Sequence, residues 1–240
     1  PPGGAYSDNL ERLSFLCRAA LAVLEPLGWQ PDVIHLNDWH TALIAPLVKQ
    51  RRLPMATVFT AHNLGGAYQG QFPRDVAWVA GVDESDPCTS KYLTSEGINL
   101  ARCGLACADK ISTVSPTYAR EVLDPVVGGG VSDLIRARAD DVRGILNGID
   151  YDFWNPSIDE ALDEVDGYAK FDVANKEGKK RCKAALQAEM GLPIEPDTPI
   201  IAMVTRLDDQ KGLDLAEAVL PRVQEVQWVI LGSGALKYEA

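Results

Sequence analysis

KISTVSPTYAREVL, residues 110–123, packs a strand, a polar tip and a helix start into one line. KISTVS (110–115) reads as the strand. Ser115 then stands where a helix N-cap belongs, and Pro116 fills the first helical position. A serine hydroxyl accepts a backbone N–H at that point, and proline lacks the N–H that the first turn leaves unpaired. PTYAREVL therefore opens a helix directly behind the strand.

The same order repeats outward from this unit. Residues 8–25 carry apolar side chains at helical spacing, with Ser7 or Asp8 as cap and Gly28 closing the region. DVIHLND (32–38) reads as a short buried strand. Residues 39–52 read as a helix kinked at Pro46. MATVFTAHN (55–63) is the next strand. After a long loop, TSEGINLARCGLACAD (94–109) reads as helix, VSDLIRARA (131–139) as a further helix, and RGILNGID (143–150) holds another strand. Such alternation implies an α/β chain with a parallel sheet and helices on both faces. Each strand ends in a polar cluster: HLNDWH, TAHN, TVSPT, LNGID. In open α/β sheets ligands bind beyond the carboxyl ends of the strands. An apolar run thus delivers His62 and Asn63 into a loop with Gly65, Gly66, Tyr68 and Gln69.

Residues 151–172 are acidic, contain Pro156 and Gly167, and read as a solvated connection. A basic helix (175–192, ending at Gly191), a strand (199–207), a helix (211–223) and a strand (226–234) then make a second βαβ unit. That unit stops two strands in, and the first opens on a helix. The expectation is a piece truncated at both ends of a larger two-domain protein. Its domains would be 1–150, a connection over 151–174, and the start of a second domain over 175–240.

Composition narrows the function. The 240 residues are 46% hydrophobic and 24% charged, ordinary for a globular protein. A net charge of −11 disfavours nucleic acid as a partner. No apolar run approaches the roughly 18 residues that span a bilayer, so no membrane role is expected. Cys17, Cys88, Cys103, Cys107 and Cys182 are odd in number and scattered, which reads as reduced, mostly core thiols. PPGGAYSDN at the start has neither signal-peptide nor transit-peptide character.

Several constellations bear chemistry. In TRLDDQKG (205–212), Arg206 follows a strand, Lys211 stands at the mouth of the next helix, and Gly212 lets the backbone approach a ligand. A guanidinium, an ammonium and a helix N-terminus facing one point suit a diphosphate. The alternative is surface ion pairs to Asp208, Asp209 or Asp214, worth little; the place at a strand's carboxyl end favours the clamp. LGSG (231–234) offers Gly232 and Gly234 either to a nucleoside or phosphate or simply to a tight turn. GGG (128–130) has no following Lys–Ser/Thr and reads as a flexible loop. His35, Asp38 and His40 lie close but lack a zinc spacing and a third ligand; His35 reads as structural. Asp38 and Asn147 can each hydrogen-bond sugar hydroxyls, or serve as turn residues. Glu217 and Glu225, with seven residues between them, read as solvated carboxylates. The chain has no G-x-S-x-G, which disfavours acyl transfer.

In order and in register, HLNDWHTAL, TAHNLGGAYQG, STVSPTYAREV, GILNGIDYDFWNPSID, TRLDDQKGLDL and LGSG resemble starch synthases and bacterial glycogen synthases, from about residue 8 to residue 234. The resemblance implies a GT-B fold: two Rossmann-like domains facing across a cleft, both incomplete in this chain. It implies transfer of glucose from ADP-glucose to the non-reducing end of an α-1,4-glucan, with retention and with neither metal nor cofactor, ADP-glucose being a substrate. His62 would lie against the transferred glucose, Arg206 and Lys211 would hold the diphosphate, and Asp38 and Asn147 would bind sugar hydroxyls. Asn63, Tyr68, Gln69, Gly232 and Gly234 complete the implied substrate-binding set, Tyr68 and Gln69 on the acceptor side.

Departures from the family pattern are specific. The family's N-terminal Lys-Thr/Pro-Gly-Gly-Leu-Gly-Asp loop and its downstream paired glutamates are not in this sequence, and Ala235 stands where Asp is usual after LGSG. These 240 residues alone are therefore expected to be nearly inactive. A GT-B transferase using UDP-glucose and a non-catalytic glucan-binding relative are the competing readings. The wording of TRLDDQKG leans toward a plastid enzyme, with bacterial cytoplasm the alternative; oligomeric state is left open.

Overall fold

The computed structural model describes residues 6–162 and 166–239, and contacts divide the chain into two units between Gly148 and Ile149. The first unit runs α1 (Asn9–Ala22), β1 (Val33–Asn37), α2 (Asp38–Thr41), α3 (Ile44–Gln50), β2 (Ala56–Ala61), β3 (Gln71–Pro73), β4 (Gly97–Asn99), α4 (Leu100–Cys107), β5 (Lys110–Thr113), α5 (Pro116–Glu121), α6 (Ser132–Ala137) and β6 (Val142–Gly144). Strands β1, β2, β5 and β6 lie in that order as a parallel sheet. Val58 stands beside His35 on one side and Lys110 on the other. Strands β3 and β4 form a separate antiparallel pair.

The core sits where α4 meets β2. Every residue of α4 except Arg102 is buried, and Phe59 in β2 is fully enclosed. A Cβ on Gly104 would stand 2.6 Å from the Phe59 ring, so the helix can lie this close only without a side chain there.

Ser115 caps α5 as the sequence predicts: its hydroxyl accepts the N–H groups of Thr117 at 3.1 Å and Tyr118 at 3.3 Å, with Pro116 in the first turn. Ser115→Ala is expected to cost about 1 kcal/mol, and Ser115→Asp much less. Urea unfolding of the two variants checks this; equal stability of Ser115→Ala and the parent would refute the cap's contribution.

Elsewhere local sequence misleads. Asp8 occupies the N-cap position of α1 without a side-chain capping bond. Strand β1 is not buried throughout: among the described residues it has one sheet neighbour, Val33 is 53% exposed, and only Leu36 of the strand is enclosed. The helix expected over 39–52 breaks at Ala42–Leu43, not at Pro46. Proline is tolerated in a first turn but clashes with the carbonyl four residues earlier, which here is Ala42, so the chain restarts a helix just ahead of it. Residues 94–99 are not helical; Gly97–Asn99 pairs with Gln71–Pro73, and Asn99 caps α4 by accepting the Arg102 N–H at 3.0 Å. Strand β6 stops at Gly144, and residues 145–150 run exposed beyond it. Nor is the GGG stretch loose: the Gly129 carbonyl accepts from Gln69 Nε2, and the Gly130 carbonyl accepts from Arg102 Nη1 at 2.6 Å.

The second unit contains α7 (Glu177–Glu189), β7 (Ile200–Val204), α8 (Leu213–Val219), β8 (Gln227–Leu231) and α9 (Leu236–Glu239). Strands β7 and β8 pair in parallel from Ile200 opposite Gln227 to Val204 opposite Leu231. Gly212, at φ 73°, separates a short 3-10 turn, Asp209–Lys211, from α8. Lys211 thus precedes the helix rather than opening it. Glu217 and Glu225 are solvent-exposed.

Candidate active site

The carboxyl ends of β1, β2 and β5 contribute to a polar rim in the first unit. Asp38 leaves β1 with a positive φ of 55°, a left-handed conformation that Asp and Asn adopt more readily than other side chains. That turn aims its carboxylate at the end of β2. Oδ1 accepts the His62 backbone N–H at 2.7 Å, and Oδ2 lies 3.1 Å from His62 Nδ1. One carboxylate therefore fixes both the strand end and the imidazole plane. Nδ1 is the ring nitrogen that faces the carboxylate, and Nε2 is without a partner among the described residues. The imidazole remains 40% exposed.

The loop after His62 is tied down at successive points. Asn63 Oδ1 accepts the Gly65 N–H at 2.8 Å, an Asx turn. The Leu64 N–H donates to the Tyr118 hydroxyl at 2.9 Å; burial raises the Tyr118 pKa above the usual tyrosine value, so the phenol stays protonated. Gln69 has no exposed surface. Its Nε2 donates to the Leu64 carbonyl at 2.8 Å and to Gly129, while its Oε1 accepts from Asn99 Nδ2 at 2.9 Å and Gln71 Nε2 at 3.3 Å. With both ends of its amide committed, Gln69 is a strut of the loop, not a surface for a ligand. Tyr68 is half-buried in the 3-10 turn Gly66–Tyr68.

Arg102 braces the far side. It forms a two-pronged pair with Asp133, 2.9 Å on each prong, and donates to the carbonyls of Gly130 and Lys91, each at 2.6 Å. The pair holds the Asp133 carboxyl below the usual carboxylate range. The sequence does not mark Asn99, Arg102 or Tyr118: each has a partner 28 or more positions away, in Gln69, Gly130 and Leu64 respectively, beyond any local motif.

His35 is structural, as its position at the strand suggests. Its Nε2 lies 2.6 Å from Thr60 Oγ1, which in turn lies 2.6 Å from Ser112 Oγ, a polar thread across β1, β2 and β5. Asn147 stands exposed beyond β6 and makes no hydrogen bond to Asp38 or His62.

The second unit brings its candidates together in two adjoining loops. Arg206 is 61% exposed, its Nη1 3.4 Å from Asp208 Oδ2 and its Nη2 donating to Gln210 Oε1 at 3.4 Å. Lys211 is exposed and forms no salt bridge among the described residues. Asp209 is engaged instead by Lys237 at 2.6 Å and by the Tyr238 hydroxyl; these two donors, Lys237 first, hold its carboxyl below the ordinary range. The Leu207 N–H donates to the Ser233 carbonyl at 3.0 Å, and the Ala235 N–H returns to Leu207 at 2.8 Å. A Cβ on Gly232 would lie 1.8 Å from the Thr205 carbonyl oxygen. The glycine is thus required by loop-to-loop packing whatever binds there. Gly232→Ala is expected to destabilise this unit by about 1–3 kcal/mol. A thermal melt unchanged from the parent would count against the packing argument.

A family model described as "Starch synthase catalytic domain" matches residues 1–137. A glycogen synthase of Anaeromyxobacter dehalogenans is 44% identical over 245 residues, covering 99% of this chain and 50% of its own length. A glycogen synthase of Geotalea daltonii is 41% identical, covering 98% and 49%. The solved catalytic domain of starch synthase IV from Arabidopsis thaliana, bound to ADP and acarbose, superposes with a TM-score of 0.87 at 32% identity, over 98% of this chain and 49% of that one. The chain spans about half the length of the curated relatives it matches. The likeness to starch synthase IV bears out the α/β, GT-B class that the motif order implied.

Proposed function

The chain belongs to the starch synthase catalytic domain family, and from that premise we propose that it is part of a retaining glucosyltransferase that moves glucose from ADP-glucose to the non-reducing end of an α-1,4-glucan. The observation that carries the reading is the Asp38–His62 pair at the carboxyl ends of β1 and β2, with an exposed imidazole held by its other nitrogen. Such an imidazole is preorganised to face a sugar, its orientation set before substrate arrives.

Within this reading His62 lies against the transferred glucose. Asp38 sets the ring and has lone pairs left for a sugar hydroxyl; Asn147 and Asn63 supply further amide contacts. Arg206 and Lys211 hold the diphosphate and offset the charge that grows on the departing ADP. Gly232 and Gly234 let the donor approach the loop that they shape, and Tyr68 borders the acceptor. The reading assigns no covalent nucleophile to this set: the leaving phosphate serves as base on the same face. The ADP and acarbose of the starch synthase IV structure support an adenine nucleotide and a glucan-like acceptor. The bacterial relatives weigh the compartment toward a bacterial cytoplasm and lend the plastid leaning no support.

Full-length protein assayed with ADP-glucose and with UDP-glucose, on glycogen as acceptor, tests the proposal. Faster incorporation from ADP-glucose by at least about tenfold is expected, a margin of about 1.4 kcal/mol in transition-state binding. Preference for UDP-glucose would support the other GT-B reading. Glycogen binding with no transfer from either donor would support the non-catalytic one.

A further inference from the structure

All five cysteines are free thiols, and two of them meet. Cys88 precedes the 3-10 turn Thr89–Lys91, Cys107 ends α4, and their Sγ atoms lie 3.3 Å apart although the residues are 19 positions apart in sequence. The other thiols are turned elsewhere: Cys17 toward the His40 carbonyl, Cys103 toward Asn99, Cys182 toward Ala169. Cys88 is half-buried, so a small reagent can reach it, while Cys107 lies wholly enclosed behind it. Burial, and then the contact with Cys88, push the Cys107 thiol above its ordinary pKa. It is a poor first nucleophile but a well-placed second one.

We propose that Cys88 and Cys107 are a thiol–disulfide exchange site whose oxidant is a small-molecule disulfide. A disulfide needs its sulfurs about 2.0 Å apart, so closure asks for a movement of little more than an ångström. The Cys88 thiolate attacks one sulfur of RSSR, breaking its S–S bond and releasing RS⁻. Cys107 then attacks Cys88 Sγ in the mixed disulfide, its proton passing to the sulfur that leaves, and the second RSH departs. Two thiols and RSSR become the Cys88–Cys107 bond and two RSH; the cysteines lose two electrons and the reagent gains them. The bond joins the segment around Thr89, whose Oγ1 already donates to the Asp83 carbonyl at 2.6 Å, to the C-terminal end of α4. Arg102 ties the same segment, through Lys91, near the helix's other end.

The test incubates full-length protein with oxidised glutathione, traps free thiols by alkylation under acid quench, and reads the digest by mass spectrometry. The expected product is a Cys88–Cys107 peptide pair lacking two hydrogens. A rise in Tm of about 5 °C, reversed by dithiothreitol, should accompany it, because closing such a loop restricts the unfolded chain. Cys107→Ser should trap glutathione on Cys88, Cys88→Ser should leave Cys107 unmodified, and Cys182→Ser should change neither result. Glutathione retained on Cys88 in the unsubstituted protein would overturn the proposal. So would a Cys103–Cys107 link, or full alkylation of both thiols after incubation. The digest of the unsubstituted protein decides the matter even if Cys107→Ser fails to fold.

Discussion

Full-length enzyme carrying His62→Ala is expected to transfer glucose roughly 10²–10³ times more slowly, with the loss in kcat and little change in KM. The reasoning starts at Asp38. Its carboxylate takes the His62 N–H on one oxygen and sets the other 3.1 Å from Nδ1; in the proposed reading the ring is therefore orientated before substrate arrives, and its loss falls on the chemical step rather than on general affinity. Asp38→Asn separates the two bonds. Asparagine keeps the left-handed turn accessible and retains an acceptor for the backbone N–H, but it offers Nδ1 an amide instead of a carboxylate. Its kcat should fall less than that of His62→Ala, with a near-parental melt. Asp38→Ala loses both bonds, places alanine at a positive φ, and should lower kcat and stability together. Steady-state kinetics with matched circular dichroism reads all three. A His62→Ala enzyme within fivefold of the parent would remove the imidazole from the mechanism.

Phe59→Ala should cause the largest loss of stability, about 3–5 kcal/mol. The ring is fully enclosed in β2 and rests on the bare backbone of Gly104. Gly104→Ala alone should cost about 1–3 kcal/mol: a helix gains up to ~1 kcal/mol from the exchange, but the new methyl would stand 2.6 Å from the ring. The two changes are coupled because the cavity left by one makes room for the other. The double variant should therefore lose clearly less than the sum. Urea unfolding of the four proteins provides the cycle, and strict additivity would show that the helix and strand do not meet as described.

Those residues also show what a sequence discloses and what it withholds. Strand, cap and proline in KISTVSPTYAREVL all act within a few residues, so the unit was legible and Ser115 was found in place. The parallel sheet followed from repetition of that unit, and the family from motifs in register. Pairing across distance was not legible. Gly97–Asn99 carries no local mark of its partner Gln71–Pro73, so from sequence this strand reads as the first turn of α4. Positions within the candidate site were easier to read than their bonds. His62 and Asp38 both stand out, yet nothing in the chain's local pattern announces a carboxylate contact between residues 24 positions apart. Gln69 is the sharpest case. A glutamine after two glycines reads as a ligand-facing loop residue, but its amide is consumed by partners as far as 60 positions away. Polar side chains buried in this way are specified by satisfied hydrogen bonds rather than by periodicity.

The ties on the loop after His62 carry a dynamic corollary. Amide protons held as those of Leu64 and Ala101 are, one by the Tyr118 hydroxyl and the other by the Gln69 carbonyl, exchange with deuterium only when the loop opens. Slow uptake there would mean that this rim is a fixed anvil, so whatever shuts over a bound sugar must swing from other parts of the polypeptide. Gln69 and Arg102, through the carbonyls and amides that they hold, would be the side chains that keep that anvil still.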